Sequence, residues 1–297
     1  MANIVGGYYN TLDVTQSSSN MNAVFGNQNT LSGSKAGLNL VGGEYNQVRS
    51  TGNGVTGSAN VIGLNTNYNV VGGNSNVIPD NLNPNAFWGN NAVFGGENKD
   101  SATYTLVAGK QNSVSSGAGY STVSGYYNHV YGGVGVAIFG QVNNAYNTPG
   151  FFNNTGGGFI AGALNNMTNN NSSAILGEFN TVYGDASGIS GALVGGSTNT
   201  DSASYSFIAG RNNVINPSGT YGVALGAGNT VGHSNSFALG NGAVTTKPYQ
   251  LVANFPGGVV FAPLPSYASD AAADADGTLP SGSLYKLTGS RAVFQKP

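Results

Sequence analysis

The chain has 297 residues, 48 of them glycine, with only 7% charged, a net charge of −2 and no cysteine. The absent thiols exclude disulfides and thiolate metal sites, and the lack of any cluster of three basic residues argues against nucleic acid as a partner. With 39% apolar residues it is also not the charged, aromatic-poor mixture that stays disordered, and a Gly- and Asn-rich chain with regular Val, Ile and Phe reads as turn-dense β structure.

In chain order, "MANIVGGYYN" lacks the basic-then-apolar pattern of a secretory signal, and no stretch approaches the roughly 18 apolar residues of a membrane helix. The expectation is a soluble chain, without membrane insertion, that begins folding at its first residues. A nine-residue phrase then recurs, apolar residues before a glycine and asparagine three positions after it. It reads "IVGGYYNTL" (4–12), "AVFGNQNTL" (23–31), "LVGGEYNQV" (40–48), "VVGGNSNVI" (70–78) and "AVFGGENKD" (92–100). It continues through "LVAGKQNSV" (106–114), "TVSGYYNHV" (122–130), "AIFGQVNNA" (137–145), "FIAGALNNM" (159–167) and "AILGEFNTV" (174–182). "LVGGSTNTD" (193–201), "FIAGRNNVI" (207–215), "VALGAGNTV" (223–231) and a degenerate "FALGNGAVT" (237–245) complete the series. "NVIGLNTNY" (60–68) is an irregular further copy, with Thr66 in place of the asparagine.

The anchor glycines stand mostly 14 to 22 residues apart, the signature of a solenoid in which each copy is one coil. β-Branched residues two positions before the anchor, such as Val41, Val107 and Ile160, suit a strand, and the glycine suits a tight turn or close backbone approach. Residues five positions after it, such as Val48 and Val114, belong to a returning strand. The recurring asparagines, Asn10 to Asn229, are expected to stack as an amide ladder along the axis. First strands such as Phe159-Ile160-Ala161 are apolar on consecutive residues, which calls for cover on both faces. A thin roll covers only one face itself, so another copy of the chain is expected on the other.

"GVALGAGNTVGHSNSFALGNGAV" (222–244) resembles the head repeats of trimeric autotransporter adhesins. The resemblance covers the last two or three coils and implies an all-β, left-handed parallel β-roll of about 14–15 short coils, three rolls packed as a homotrimer. The chain carries no signal, heptad stalk or membrane barrel, so the expectation is not a cell-surface autotransporter. "PLPSYASDAAADADGTLPSGSLYKLTGSRAVFQKP" (263–297) resembles an end-segment of phage virion proteins. The expected organisation is a β-roll over 1–246, a transition strand segment over 247–268 and a virion-type C-terminal segment over 269–297. Together the resemblances imply a phage tail fibre or spike located in the virion, with host attachment as its task. Its partners are then itself, other virion proteins and a host-surface glycan or protein.

Candidate chemistry is sparse. Glu44 and Glu178 directly follow anchor glycines, as do Lys110 and Arg211, which places them at solvated turns. The eleven acids make a polysaccharide-cleaving tailspike, which needs a paired set, the weaker expectation beside a non-enzymatic protein. His129 and His233 would form rings of three in a trimer, but lone turn histidines are ordinarily surface residues. No metal site and no cofactor are expected. The Asn-x-Ser/Thr triplets at Asn153, Asn166, Asn170 and Asn171 follow from composition. Ligand-binding candidates are the turn aromatics Tyr8, Tyr9, Tyr45, Tyr126 and Tyr127, which either dock a partner or cover the trimer seam. Trp88, in the insertion 79–91, and Phe151 and Phe152, in 146–158, join them as residues of exposed loops. A capsid decoration or tail-assembly component without a receptor role is the alternative reading.

Overall fold

A computed structural model describes residues 2–14, 21–33, 37–81, 88–146, 157–169, 172–184, 191–257, 265–276, 278, 284–288 and 294–295. The chain divides into two compact units, Met1–Asn254 and Phe255–Pro297.

The first unit is a parallel β-solenoid. The coil beginning at Leu40 shows its logic. Leu40–Glu44 forms a long strand, Tyr45 and Asn46 turn the chain, and Gln47–Val48 forms a short strand. Val41 and Val48 point into the coil and are fully buried. Gly43 has φ +106°, and a Cβ there would stand 1.9 Å from the carbonyl oxygen of Gly57 in the next coil, so only glycine fits. Tyr45 follows at φ 56°, a left-handed conformation that costs a non-glycine residue on the order of 1 kcal/mol. Asn46 holds that corner. Its amide nitrogen donates to Gly42 O (3.1 Å), Gly57 O (2.9 Å) and Asn29 Oδ1 (3.0 Å), while its own Oδ1 accepts from Asn60 Nδ2 (2.9 Å). The amide is thereby saturated, as burial requires.

Repeated along the chain, these contacts keep anchor beside anchor: Gly26 pairs with Gly43, Gly95 with Gly109 and Gly196 with Gly210. Among the described residues the long strands form a sixteen-stranded sheet and the short strands a fourteen-stranded one. The core is a file mostly of Val and Ile between them, such as Val107 with Val114 and Ile208 with Ile215, with Ala or Met in a few coils, as at Ala145 and Met167. The all-β solenoid expected from the repeat is therefore what the chain forms.

Three details differ from the sequence reading. Residues 60–68 are not a copy in their own right; the coil there is "GVTGSANVI" (54–62), with Gly57 as anchor and Asn60 in the ladder. Thr66 instead pairs with Trp88 in a two-stranded parallel sheet on the third side of the coil. A second amide ladder runs through Asn22, Asn39, Asn53, Asn69 and Asn91, four residues before successive anchors, each backbone N–H donating to the preceding Oδ1 at 2.9–3.2 Å. Finally, Leu251–Asn254 extends the sixteen-stranded sheet in register with Phe237–Gly240, so the solenoid runs past residue 246.

In the second unit Leu284–Leu287 pairs parallel with Ser266–Tyr267 and antiparallel with Phe294–Gln295. A short helix, Asp270–Ala275, is capped by the Ser269 side chain accepting from Ala272 N. Asp276 accepts from Tyr267 OH at 2.5 Å, which holds the phenol proton above its ordinary range.

Candidate functional site

Each sheet of the solenoid turns one face to the core and one outward, and the two outward faces differ in chemistry. On the long strands the outward positions are three and one before the anchor. They carry Ile4, Leu40, Val70, Leu106, Phe159, Leu193 and Phe207 in the first column and Phe25, Phe94, Phe139 and Leu176 in the second, all exposed. Large and small side chains alternate between the columns, as with Leu40 beside Gly42 and Phe139 beside Ala137. The rings of Phe25 and Phe94 reach back over Gly6 and Gly72 of the preceding coils, where an added Cβ would meet them at 3.2 and 3.1 Å. No charged residue occupies either column. Sixteen strands at about 4.8 Å make this apolar strip about 70 Å long. At its N-terminal end it holds a shallow depression of about 500 Å³ between Ile4, Met21, Leu38 and Leu40.

The outward positions of the short strands are instead mostly hydroxyl and amide residues, among them Thr11, Thr30, Gln47, Ser113, Asn144 and Thr181. One group of coils carries aromatic rings there instead. Tyr126 and Tyr127 at the corner, His129 and Tyr131 on the next short strand and Tyr146 one coil further form a continuous ring cluster. Successive centroids lie 5.4, 5.6, 5.7 and 5.9 Å apart. His129 Nδ1 and the Tyr131 hydroxyl share a hydrogen bond of 2.9 Å. Burial pushes the histidine's proton affinity below its ordinary value, so the ring is neutral at pH 7.

The candidates from sequence are thus only partly brought together. Tyr126 and Tyr127 join one cluster. Tyr8 and Tyr9 lie on the first coil and Tyr45 on the third, all exposed but remote in the stacking order from the cluster. Trp88 does not stand in a free loop: Trp88–Gly89 pairs with Thr66–Asn67. The start of the same insertion is also tied down, with Asp80 bound to Arg49 Nη2 at 2.7 Å and to Leu64 N at 2.9 Å. Phe151 and Phe152 lie outside the described residues. Tyr131 and Tyr146 escaped the sequence reading, although both stand six residues after an anchor. So did a second corner column with stacked pairs Tyr104–Tyr120 (4.9 Å) and Tyr205–Tyr221 (5.1 Å).

The acids fall into two kinds. Glu44 and Glu178 are exposed at corners, and Glu97 bridges to Lys110 (3.5 Å) and accepts from Gln111 (2.7 Å). Asp100 and Asp201 take the core position of their short strands and are fully buried. Each belongs to one copy of a longer duplication, "KDSATYTLVAGKQNSV" (99–114) and "TDSASYSFIAGRNNVI" (200–215). Each carboxylate accepts from a backbone N–H, of Ala102 or Ala203, and from a hydroxyl, of Thr105 or Ser206. Burial outweighs those bonds and raises both pKa values to about 6. Sealed in the core, they brace the third corner of the coil and are closed to substrate. Among the described residues no group of three His, Asp or Glu is placed to hold a metal.

No family model and no curated protein matches the sequence.

Proposed function

We propose that the chain is a non-enzymatic structural protein of a phage virion, a homotrimeric tail fibre or spike that attaches to the host surface. The observation that carries this reading is the charge-free apolar strip on the outer face of the long-strand sheet. Monomeric soluble proteins rarely present contiguous apolar patches beyond a few hundred Å². A strip about 70 Å long and roughly 10 Å wide covers on the order of 700 Å², close to one side of a standard protein interface. Identical copies fit it because the strip runs the length of the solenoid, interrupted only at the coils with Gly54 and Thr56 and with Thr122 and Ser124, so partner and strip have equal length. Three-fold packing is what the resemblance of residues 222–244 to adhesin heads implies. The virion setting rests on the resemblance of residues 263–297 to phage end-segments.

The opposite, polar face would then remain outward in the assembly, available for a host glycan or protein. Exposed single acids at separate corners, and buried ones braced inside coils, favour binding over hydrolysis. Purified protein should sediment as a trimer and bind host cells, releasing no reducing sugar from host envelope polysaccharide. A trimer that ignores host cells would make the protein a decoration or tail-assembly component. A folded monomer would remove the fibre reading altogether.

A further inference from the structure

The five-ring cluster lies where the apolar strip does not, on the corner and outer face of the short-strand sheet. Tyr126, Tyr127, Tyr131 and Tyr146 are each 41–44% exposed, so one side of every ring is supported and the other faces solvent. Apart from Lys110 beside Tyr126, the polar neighbours in register are uncharged hydrogen-bonding groups. Ser113 and Asn144 flank His129, Gln141 follows Tyr126, and Thr168 follows Tyr146. Flat ring faces receive the C–H surfaces of a pyranose, while amides and hydroxyls around them satisfy its hydroxyl groups.

We propose that this cluster is a binding platform for an uncharged carbohydrate chain lying along the solenoid axis. The direction follows from Tyr131 and Tyr146, which pair in register on adjacent coils and so present the same ring on two successive rungs. The charge state follows from the flanking residues, with Lys110 beside Tyr126 the one cation next to the cluster in register among the described residues. A nucleic acid or acidic polysaccharide would need several such cations. The five rings also differ from the apolar strip in bearing four hydroxyls and an imidazole. A dry protein–protein seam would have to bury these groups with partners. The proposal rests on the attachment reading above and names the chemistry of its receptor.

The test uses the full chain in its native assembly state. Binding is measured calorimetrically against maltohexaose, cellohexaose and mannohexaose, with an acidic heparin oligosaccharide as comparison. At least one neutral hexasaccharide should bind, and Tyr131→Ala with Tyr146→Ala should weaken it by about tenfold or more. Tyr131→Phe with Tyr146→Phe keeps the ring faces and should stay within about threefold, and Tyr249→Ala, at an exposed tyrosine outside the cluster, should change nothing. Thermal unfolding of each variant separates lost binding from lost fold. Absence of neutral-sugar binding, preference for the acidic oligosaccharide, or full affinity in the double alanine variant would each overturn the proposal. Sedimentation of the same samples keeps the two readings apart. A monomer that binds sugar contradicts the trimeric fibre alone, and a trimer that binds none contradicts the platform alone.

Discussion

At the scale of single residues, the asparagine of each coil does more than decorate a turn. Asn112 donates to Asn98 Oδ1, Ala108 O and Gly125 O, and its Oδ1 accepts from both nitrogens of Asn128. Replacing it by alanine strands several buried groups, each at about 1–3 kcal/mol. Asn112→Ala should therefore cost about 2–4 kcal/mol in chemical denaturation. A loss below about 0.5 kcal/mol, the range of ordinary surface substitutions, would show that the ladder is ornamental. The buried acids make a second prediction. Asp100 and Asp201 hold a proton more tightly folded, with a pKa of about 6, than unfolded, where the ordinary value is 3.8. Between those values the native state binds more protons, so their contribution is full below about pH 4 and is lost as pH rises through about 6. Each shift corresponds to on the order of 3 kcal/mol. In Asp100→Asn with Asp201→Asn, the decline in stability from pH 4 to pH 7 should be smaller than in the parent. Identical pH profiles for the two proteins would contradict the assignment.

At the scale of the element, the coil was legible because its chemistry repeats: a β-branched residue inward, glycine where two backbones touch, and asparagine where the corner needs saturating. The coil at Gly57 was misread because Gly54 and Thr56 replace the apolar residues that mark the other copies, leaving only the backbone requirement visible. The second ladder was hidden because its amides give way to Thr105, Ser121 and Ser206 along one column, a change of residue type with position conserved in space. The ring cluster was half visible. Tyr126 and Tyr127 follow an anchor directly, whereas Tyr131 and Tyr146 come near them only once short strands stack in parallel register. The same register separates two kinds of isoleucine-phenylalanine neighbour. Ile160 and Ile208 are fully buried in the core, while Phe159 and Phe207 are 37% and 38% exposed on the strip. Ile160→Asp should abolish folding, because it buries a charge without a partner. Phe159→Asp with Phe207→Asp should leave coil folding to circular dichroism intact while dispersing the assembly. If both variants lose β structure alike, the strip would have to be part of each chain's own core.

At the scale of the whole molecule, the solenoid has two dissimilar outer faces, one apolar and uncharged, the other polar with a patch of rings. From that asymmetry comes the proposal that copies of the chain cover the first face and leave the second for attachment. Burial of apolar surface at about 25 cal/mol per Å² is strong enough, over such a strip, to hold copies of the chain together. The structure divides the consecutive apolar residues of the long strands between the core and the outer face, because one thin core accepts only every second residue. Sequence could not show that the apolar residues line up in two columns, because alignment depends on register across every insertion between coils. Sedimentation equilibrium at micromolar concentration tests the claim most directly. The predicted mass is three times the 29.9 kDa of one chain, with no folded species at the single-chain mass. A folded, stable 29.9 kDa particle with the strip exposed to water would contradict it.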